Sequence, residues 1–198
     1  MTRSQNGFTL LELIVSIAMI SIIVLILAGS LRLGYQSLDM GESKILELER
    51  YRSSLTIIDA QVQSHVPLSY KDPARGGESY YFQGERDSVQ FATNYSLWGS
   101  ERGFVLASYT VRSDDEGMQF LEVSENIIGI EQRQETRLFD TFEEIYFEYF
   151  YMDPFEEEGR WVERWEEDMD IPRKIKFHFI RGEHDFSLIV PLRVTRET

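Results

Sequence analysis

Few side chains in this chain suit bond-making chemistry. Cysteine is absent, which removes disulfides, thiolate metal sites and cysteine nucleophiles together. The histidines are His65, His178 and His184, and none falls in an H-E-x-x-H zinc pattern. Chain order yields no Ser-His-Asp grouping, and Gly76-Gly77 lacks the Lys-Ser/Thr of a phosphate loop. The dense group of oxygen donors lies in residues 143–170, where Glu143, Glu144, Glu148, Asp153, Glu156, Glu157, Glu158, Glu163, Glu166, Glu167, Asp168 and Asp170 face only Arg160 and Arg164. Calcium takes about 6–8 oxygen ligands, and Asp153, Glu156, Glu157 and Glu158 are its candidates here. Their spacing matches no EF-hand, and Asp153-Pro154 opens an ordinary turn. A solvated acidic loop is therefore the reading taken, with calcium or partner docking as alternatives; no other cofactor is expected. Asp114-Asp115-Glu116-Gly117 reads as a tight turn, because Asp and Gly suit one unaided. Trp161 and Trp165 read equally well as interface residues or as core. His178, opposite Phe177 and Phe179 in alternation, is expected on an outer strand face.

The elements that must carry these residues follow from length and charge. The chain has 198 residues and a formal charge of −14, which argues against a nucleic-acid role. Residues 1–7 contribute +1 and residues 8–34 nothing, so residues 35–198 carry −15. Residues 8–34 hold 19 apolar side chains among 27, with only Glu12 and Arg32 charged. From Leu13 to Leu31 there is no charge at all. A bilayer needs roughly 20 apolar residues in a helix, and this run has that length. It is apolar all round and at the N-terminus, and as a soluble core helix it would need a large core to surround it. It is longer than the apolar part of a secretory signal, and its only small-residue site, Ala28-Gly29-Ser30, comes at the far end. Leu27-Ala28-Gly29 is followed by Ser30, not by the Cys of a lipoprotein signal. Glu12 is the odd residue. A carboxylate in such a run is costly, and is a functional candidate by default.

Gly7-Phe8-Thr9-Leu10-Leu11-Glu12, with the apolar run behind it, resembles the class III signal of type IV prepilins and type II secretion pseudopilins. The resemblance implies cleavage after Gly7 by prepilin peptidase and methylation of the new amine on Phe8. It implies that Glu12, with Thr9 beside it, serves assembly by meeting the N-terminal amine of a neighbouring subunit. Two groups that are each costly in hydrocarbon are better tolerated together. Leu13, Ile14, Ile17, Ile20, Val24 and Leu27 would then supply helix packing. The short leader with Arg3 agrees with the positive-inside rule, but Arg32 at the other end of the run offsets it, so it is mainly the resemblance that implies an acidic body in the periplasm.

Past the membrane run, Ile45, Leu48, Leu55, Ile58 and Val62 recur at helical spacing, with Arg52 in one apolar slot. Glu42, Lys44, Glu47, Glu49, Arg50 and Asp59 lie between them. One helix from Thr9 to Ser64 would run roughly 84 Å, ending before Pro67. Its second half is expected to pack on the body; a coiled-coil stalk is the other reading. Residues 68–102 read as looping, with a strand at Val89-Gln90-Phe91. Phe104–Arg112 and Met118–Val123 read as a hairpin. Glu144–Met152, Lys174–Ile180 and Phe186–Val194 alternate as strands, the last two joined by 181–185, with Pro191 at an edge or bulge. The fold class expected is α+β: a leader 1–7, a transmembrane segment 8–34, an amphipathic half-helix 35–66 and a β-rich globular domain 67–198.

The aromatic strand from Phe142 to Tyr149, the acidic turn, Trp161 and Trp165, Ile171-Pro172-Arg173-Lys174-Ile175 and a last hairpin resemble, in that order, the large minor pseudopilin of type II secretion, the general secretion pathway protein J family. Ile171 stands where that family has Leu, and the acidic turn is longer. The resemblance implies a single-pass inner-membrane protein that is not an enzyme. It would start or cap a short pseudopilus for export of folded proteins. Its partners would be minor pseudopilins of the I and K types, the major pseudopilin, prepilin peptidase and the inner-membrane assembly platform, with no nucleic acid. A minor pilin of a type IV pilus or DNA-uptake filament is the alternative. A membrane-tethered enzyme or binding module is the alternative of another class.

Overall fold

A computed structural model describes residues 9–72, 77–99, 103–129, 133–152, 158–165 and 171–192. One helix, α1 (Leu10–Gln63), precedes eleven strands among the described residues. This is the α+β arrangement expected. α1 crosses the boundary between two units, Met1–Arg50 and Tyr51–Thr198. It passes through Gly34 and Gly41 without interruption.

In the second unit, strands β3 (Phe82–Gly84), β4 (Ser88–Thr93), β5 (Val105–Ser113), β6 (Gln119–Ile127) and β7 (Arg133–Phe142) form an antiparallel sheet in chain order. A second sheet runs β11-β10-β8-β9, from β8 (Glu144–Tyr151), β9 (Arg160–Val162), β10 (Lys174–Arg181) and β11 (His184–Pro191). A small pair, β1 (Ser69–Asp72) with β2 (Gly77–Tyr80), stands apart from both. The core forms where alternation demands it. β5 buries Val105, Ala107 and Tyr109, β8 buries Ile145, Phe147 and Tyr149, and β10 buries Ile175, Phe177 and Phe179. Rings meet between the sheets: Tyr109 lies 5.8 Å from Phe177, and Phe139 lies 4.9 Å from Phe179. Ile58 and Val62 of α1 join the same cluster.

Two segments read as loops or left unassigned are strands. Residues 68–102 contain β1 to β3 beside β4, which covers the strand expected at Val89-Gln90-Phe91, and β7 pairs along β6. β7 escapes a period-2 search because its register slips twice against β6, around Leu121. Thr141 adopts φ 39° there, and Leu138, Phe139 and Phe142 are all buried. β9 is a three-residue strand among acids, too short to signal itself. The last hairpin is tighter than expected: Arg181 pairs His184, and Gly182 at φ 61° makes a two-residue turn. Pro191 ends β11 at the sheet edge, as its missing donor requires.

The packing expected for the whole second half of α1 begins later. Tyr51, Leu55 and Ile57 are partly buried, and Ser54, Ile58, Gln61 and Val62 are buried. Ile45 and Leu48 are exposed.

The two sheets are locked by the turn between β3 and β4. The Phe147 N–H donates to the Arg86 carbonyl at 2.8 Å, and the Tyr149 hydroxyl reaches the Glu85 and Ser88 carbonyls at 2.8 and 3.1 Å. A Cβ on Gly84 would sit 2.5 Å from Tyr149 Cζ, so only glycine admits this approach.

Candidate functional site

The N-terminal segment is built for hydrocarbon. α1 is long and apolar enough to cross a membrane. Thr9 stands just before its first turn, and the Glu12 N–H donates to Thr9 Oγ1 at 3.4 Å. Thr9 is therefore the N-cap of the helix and Glu12 its third residue, the spacing of a capping box. That signal, Thr-x-x-Glu before an apolar run, was present in the sequence beside the assembly reading of the same two residues. Glu12 also lies where a helix favours negative charge. Ser16, Ser21 and Ser30 each donate back to the carbonyl four residues earlier, at 2.7, 2.8 and 3.0 Å. No hydroxyl among these three needs water, which hydrocarbon cannot supply. Leu13, Ile14, Ile17, Ile20, Val24 and Leu27 are all exposed along the helix. They are free to meet lipid or other helices. Gly7 and Phe8 lie outside the described residues.

The body carries two polar constructions that sequence reading missed. The first closes the end of α1. Glu125 is buried and accepts from Gln61 Nε2 at 2.6 Å, the Leu97 N–H at 2.7 Å and the Ser96 hydroxyl at 2.7 Å. The Tyr109 hydroxyl donates to Gln61 Oε1 at 2.6 Å. Burial first, and then the charge of Glu125, push the Tyr109 hydroxyl well above its ordinary pKa, so it stays a donor. Thr93 Oγ1 lies 3.0 Å from both the Gln61 and Ser64 carbonyls and receives the Tyr95 N–H at 3.2 Å. The last helical carbonyls are thus satisfied by β4. Gln61 sits three residues after Ile58 on the apolar stripe; a polar residue there was the available signal.

The second lies on the outer face of the β8–β10 sheet. Tyr146 and His178 stack at 4.1 Å with 6° between planes, and the Arg86 guanidinium lies 4.2 Å over the other partner, Tyr146. His178 Nε2 meets Glu148 Oε2 at 2.6 Å, and Lys176 Nζ reaches the same oxygen at 3.4 Å. Arg86 also holds Glu144 at 2.7 Å and pairs with Glu163. His178 does occupy the outer face, but these neighbours bury it to 7 % exposure. Its cross-strand partner Tyr146 covers it, which the alternation of β10 alone does not reveal.

The remaining candidates divide. Trp165 is buried against Phe82, Tyr149 and Tyr151, whereas Trp161 is half-buried on β9 against Phe150. Asp114 Oδ1 accepts the Glu116 and Met118 N–H groups at 3.0 and 2.9 Å, a self-contained turn closed by Gly117 at φ 81°. Of the calcium candidates, Glu158 is exposed, and Asp153, Glu156 and Glu157 lie outside the described residues. Among the described residues no group of three metal-ligating side chains gathers. His65 is buried between Phe82 and Phe91, its Nδ1 without a partner, and burial lowers its pKa from 6.5 to about 4.

The profile of the prokaryotic N-terminal methylation motif matches residues 2–28. The chain therefore carries a prepilin-like N-terminal methylation motif, which implies processing by prepilin peptidase and assembly with other pilin-type subunits. A type II secretion pseudopilin and a type IV pilin both fit that description. No curated protein and no solved structure matches the chain.

Proposed function

We propose that this chain is a minor pseudopilin of a type II secretion system, of the general secretion pathway protein J kind. Its task is to start or cap the pseudopilus tip that exports folded proteins. The observation that carries the reading is the methylation motif at residues 2–28, set on a helix that continues as the first element of a β-rich body. The aromatic β8, Trp161, Trp165 and the Ile171-Pro172-Arg173 lead-in to the β10–β11 hairpin support the J kind over a smaller major subunit. The work is assembly and not catalysis, and needs no cofactor. The chain is anchored in the inner membrane with its body in the periplasm. Its partners are minor pseudopilins of the I and K types, the major pseudopilin and the assembly platform.

Glu12 carries the chemistry of this reading. Glu12 stands in the first turn with its backbone N–H on the Thr9 cap, its exposed carboxylate is available to the methylated amine of a neighbour, and the pair fixes axial register. Sequencing of the membrane-borne protein is expected to begin at methylated Phe8. Glu12→Leu is expected to abolish export while the body folds normally. A mature chain that starts elsewhere, or export unaffected by Glu12→Leu, would overturn the proposal.

A further inference from the structure

The two large sheets end in four edge strands, β3 and β7 in one and β9 and β11 in the other. Three of these edges are closed off. β3 is covered by its bridge to Trp165, whose N–H donates to the Gly84 carbonyl at 2.8 Å. β9 is only three residues long. β7 carries Arg133, Glu135 and Arg137 in its exposed half and is bulged where it turns apolar. Shortness, charge and bulges are the means by which sheets keep an edge from pairing. β11 has none of them over 186–189. It is eight residues long, and Phe186 on its inner face and Ile189 on its outer face are 38 % and 49 % exposed.

The backbone of β11 is half spent. The Leu192 N–H donates to the Arg173 carbonyl at 2.9 Å. Bonded pairs alternate along an antiparallel ladder, so Val190, Leu188 and Phe186 give their backbone groups to β10. The N–H and C=O groups of Asp185, Ser187 and Ile189 point out of the sheet edge, and none of the described residues meets them. Pro191, next in that row, has no N–H and ends it.

The flanking side chains set the chemistry of a strand added there. Its inner face lies beside Phe186 and Leu188, both of which pack on the core side, and is therefore apolar. On the outer face Lys176 stands across from Ile189 and Lys174 across from Pro191. Each lysine is two strand spacings of about 4.8 Å from the new strand, a gap that a lysine and a glutamate close between them. Lys174 is exposed, whereas Lys176 lies 3.4 Å from Glu148. The outer face of the added strand is therefore acidic. We propose that the β11 edge takes up an extended segment of another protein as a fifth, antiparallel strand, apolar on its inner face and acidic on its outer face. The proposal stands on the body alone and does not depend on the secretion reading.

The test titrates full-length protein in detergent micelles into a labelled Val-Glu-Val-Glu-Val-Thr-Val peptide, whose threonine falls opposite Asp185. Saturable binding by fluorescence anisotropy is expected. Val-Lys-Val-Lys-Val-Thr-Val is expected to bind at least several-fold more weakly. The chain's charge of −14 attracts the lysine peptide wherever contact is unspecific, so the expected preference has the opposite sign. N-methylation of the glutamate and threonine amides, which face β11, is expected to abolish binding. N-methylation of the valine amides, which face away, is expected to preserve it. Lys174→Glu should narrow the preference for glutamate. Ser187→Pro should remove binding at an unchanged urea midpoint; if that variant does not fold, the methylated peptides decide the matter on the parent chain. No binding, a preference for lysine, or equal effects of the two methylations overturns the proposal. So does a homodimer of the parent that Ser187→Pro dissolves, because the edge then belongs to a second copy.

Discussion

His65 is a residue whose pKa burial lowers. It is enclosed by Phe82 and Phe91, with one ring nitrogen unpartnered, and burial lowers its pKa to about 4. The unfolded chain takes up a proton near 6.5, and the folded chain only near 4. The stability held by neutral His65 is therefore complete above 6.5 and drains away as pH falls towards 4, by on the order of 3 kcal/mol in full. Urea unfolding at pH 7.5 and 4.5 checks this. His65→Gln should lose less stability between the two pH values than the parent, and an identical loss would remove His65 as the cause. Such residues are poorly legible in sequence. His65 follows a helix and precedes Pro67, a context that marks a chain reversal but not its burial. Glu12 is the opposite case, because both its cost and its capping partner are written within four residues.

The elements were legible where their period is clean. α1 announces itself by an unbroken apolar run followed by a spaced stripe, and β8, β10 and β11 by strict alternation. β7 was not legible, because bulges bring Phe139 and Phe142 to the core out of step. The small strands β1 to β3 draw their pairing from neighbours and not from their own composition. The end of α1 was legible only as a stop before Pro67; how it is held was not. Gln61 looks like an error in an apolar stripe until Glu125, Tyr109 and Tyr95 are placed round it. Gln61→Leu keeps the helix and its volume but strands the Tyr109 hydroxyl and takes one donor from Glu125. Each buried polar group left unsatisfied costs about 1–3 kcal/mol. Urea unfolding of the variant should show a midpoint lowered accordingly; an unchanged midpoint would mean that water replaces the glutamine.

At the scale of the whole molecule, the chain's acidity resides outside the apolar segment, and α1 serves two different solvents along its length. Its first part is apolar on every side and its last turns are a piece of the body's core. The body is therefore not the β-rich region alone. A fragment of residues 51–198 retains Tyr51, Ser54, Ile58, Gln61 and Val62, and should unfold cooperatively. A fragment of residues 67–198 lacks them, leaving Phe139, Phe142 and Glu125 without their cover. It should be insoluble or bind hydrophobic dyes, and a cooperative transition in that shorter fragment would show the helix to be dispensable. The joint at Gln61 has a mechanical meaning as well. Its hydrogen bonds spread from the helix end to β4, β5, β6 and, through the Tyr95 carbonyl, the 94–99 loop. A load drawn along the helix is shared among them instead of resting on one bond. The last turn of α1 is thus a tenon seated in the body.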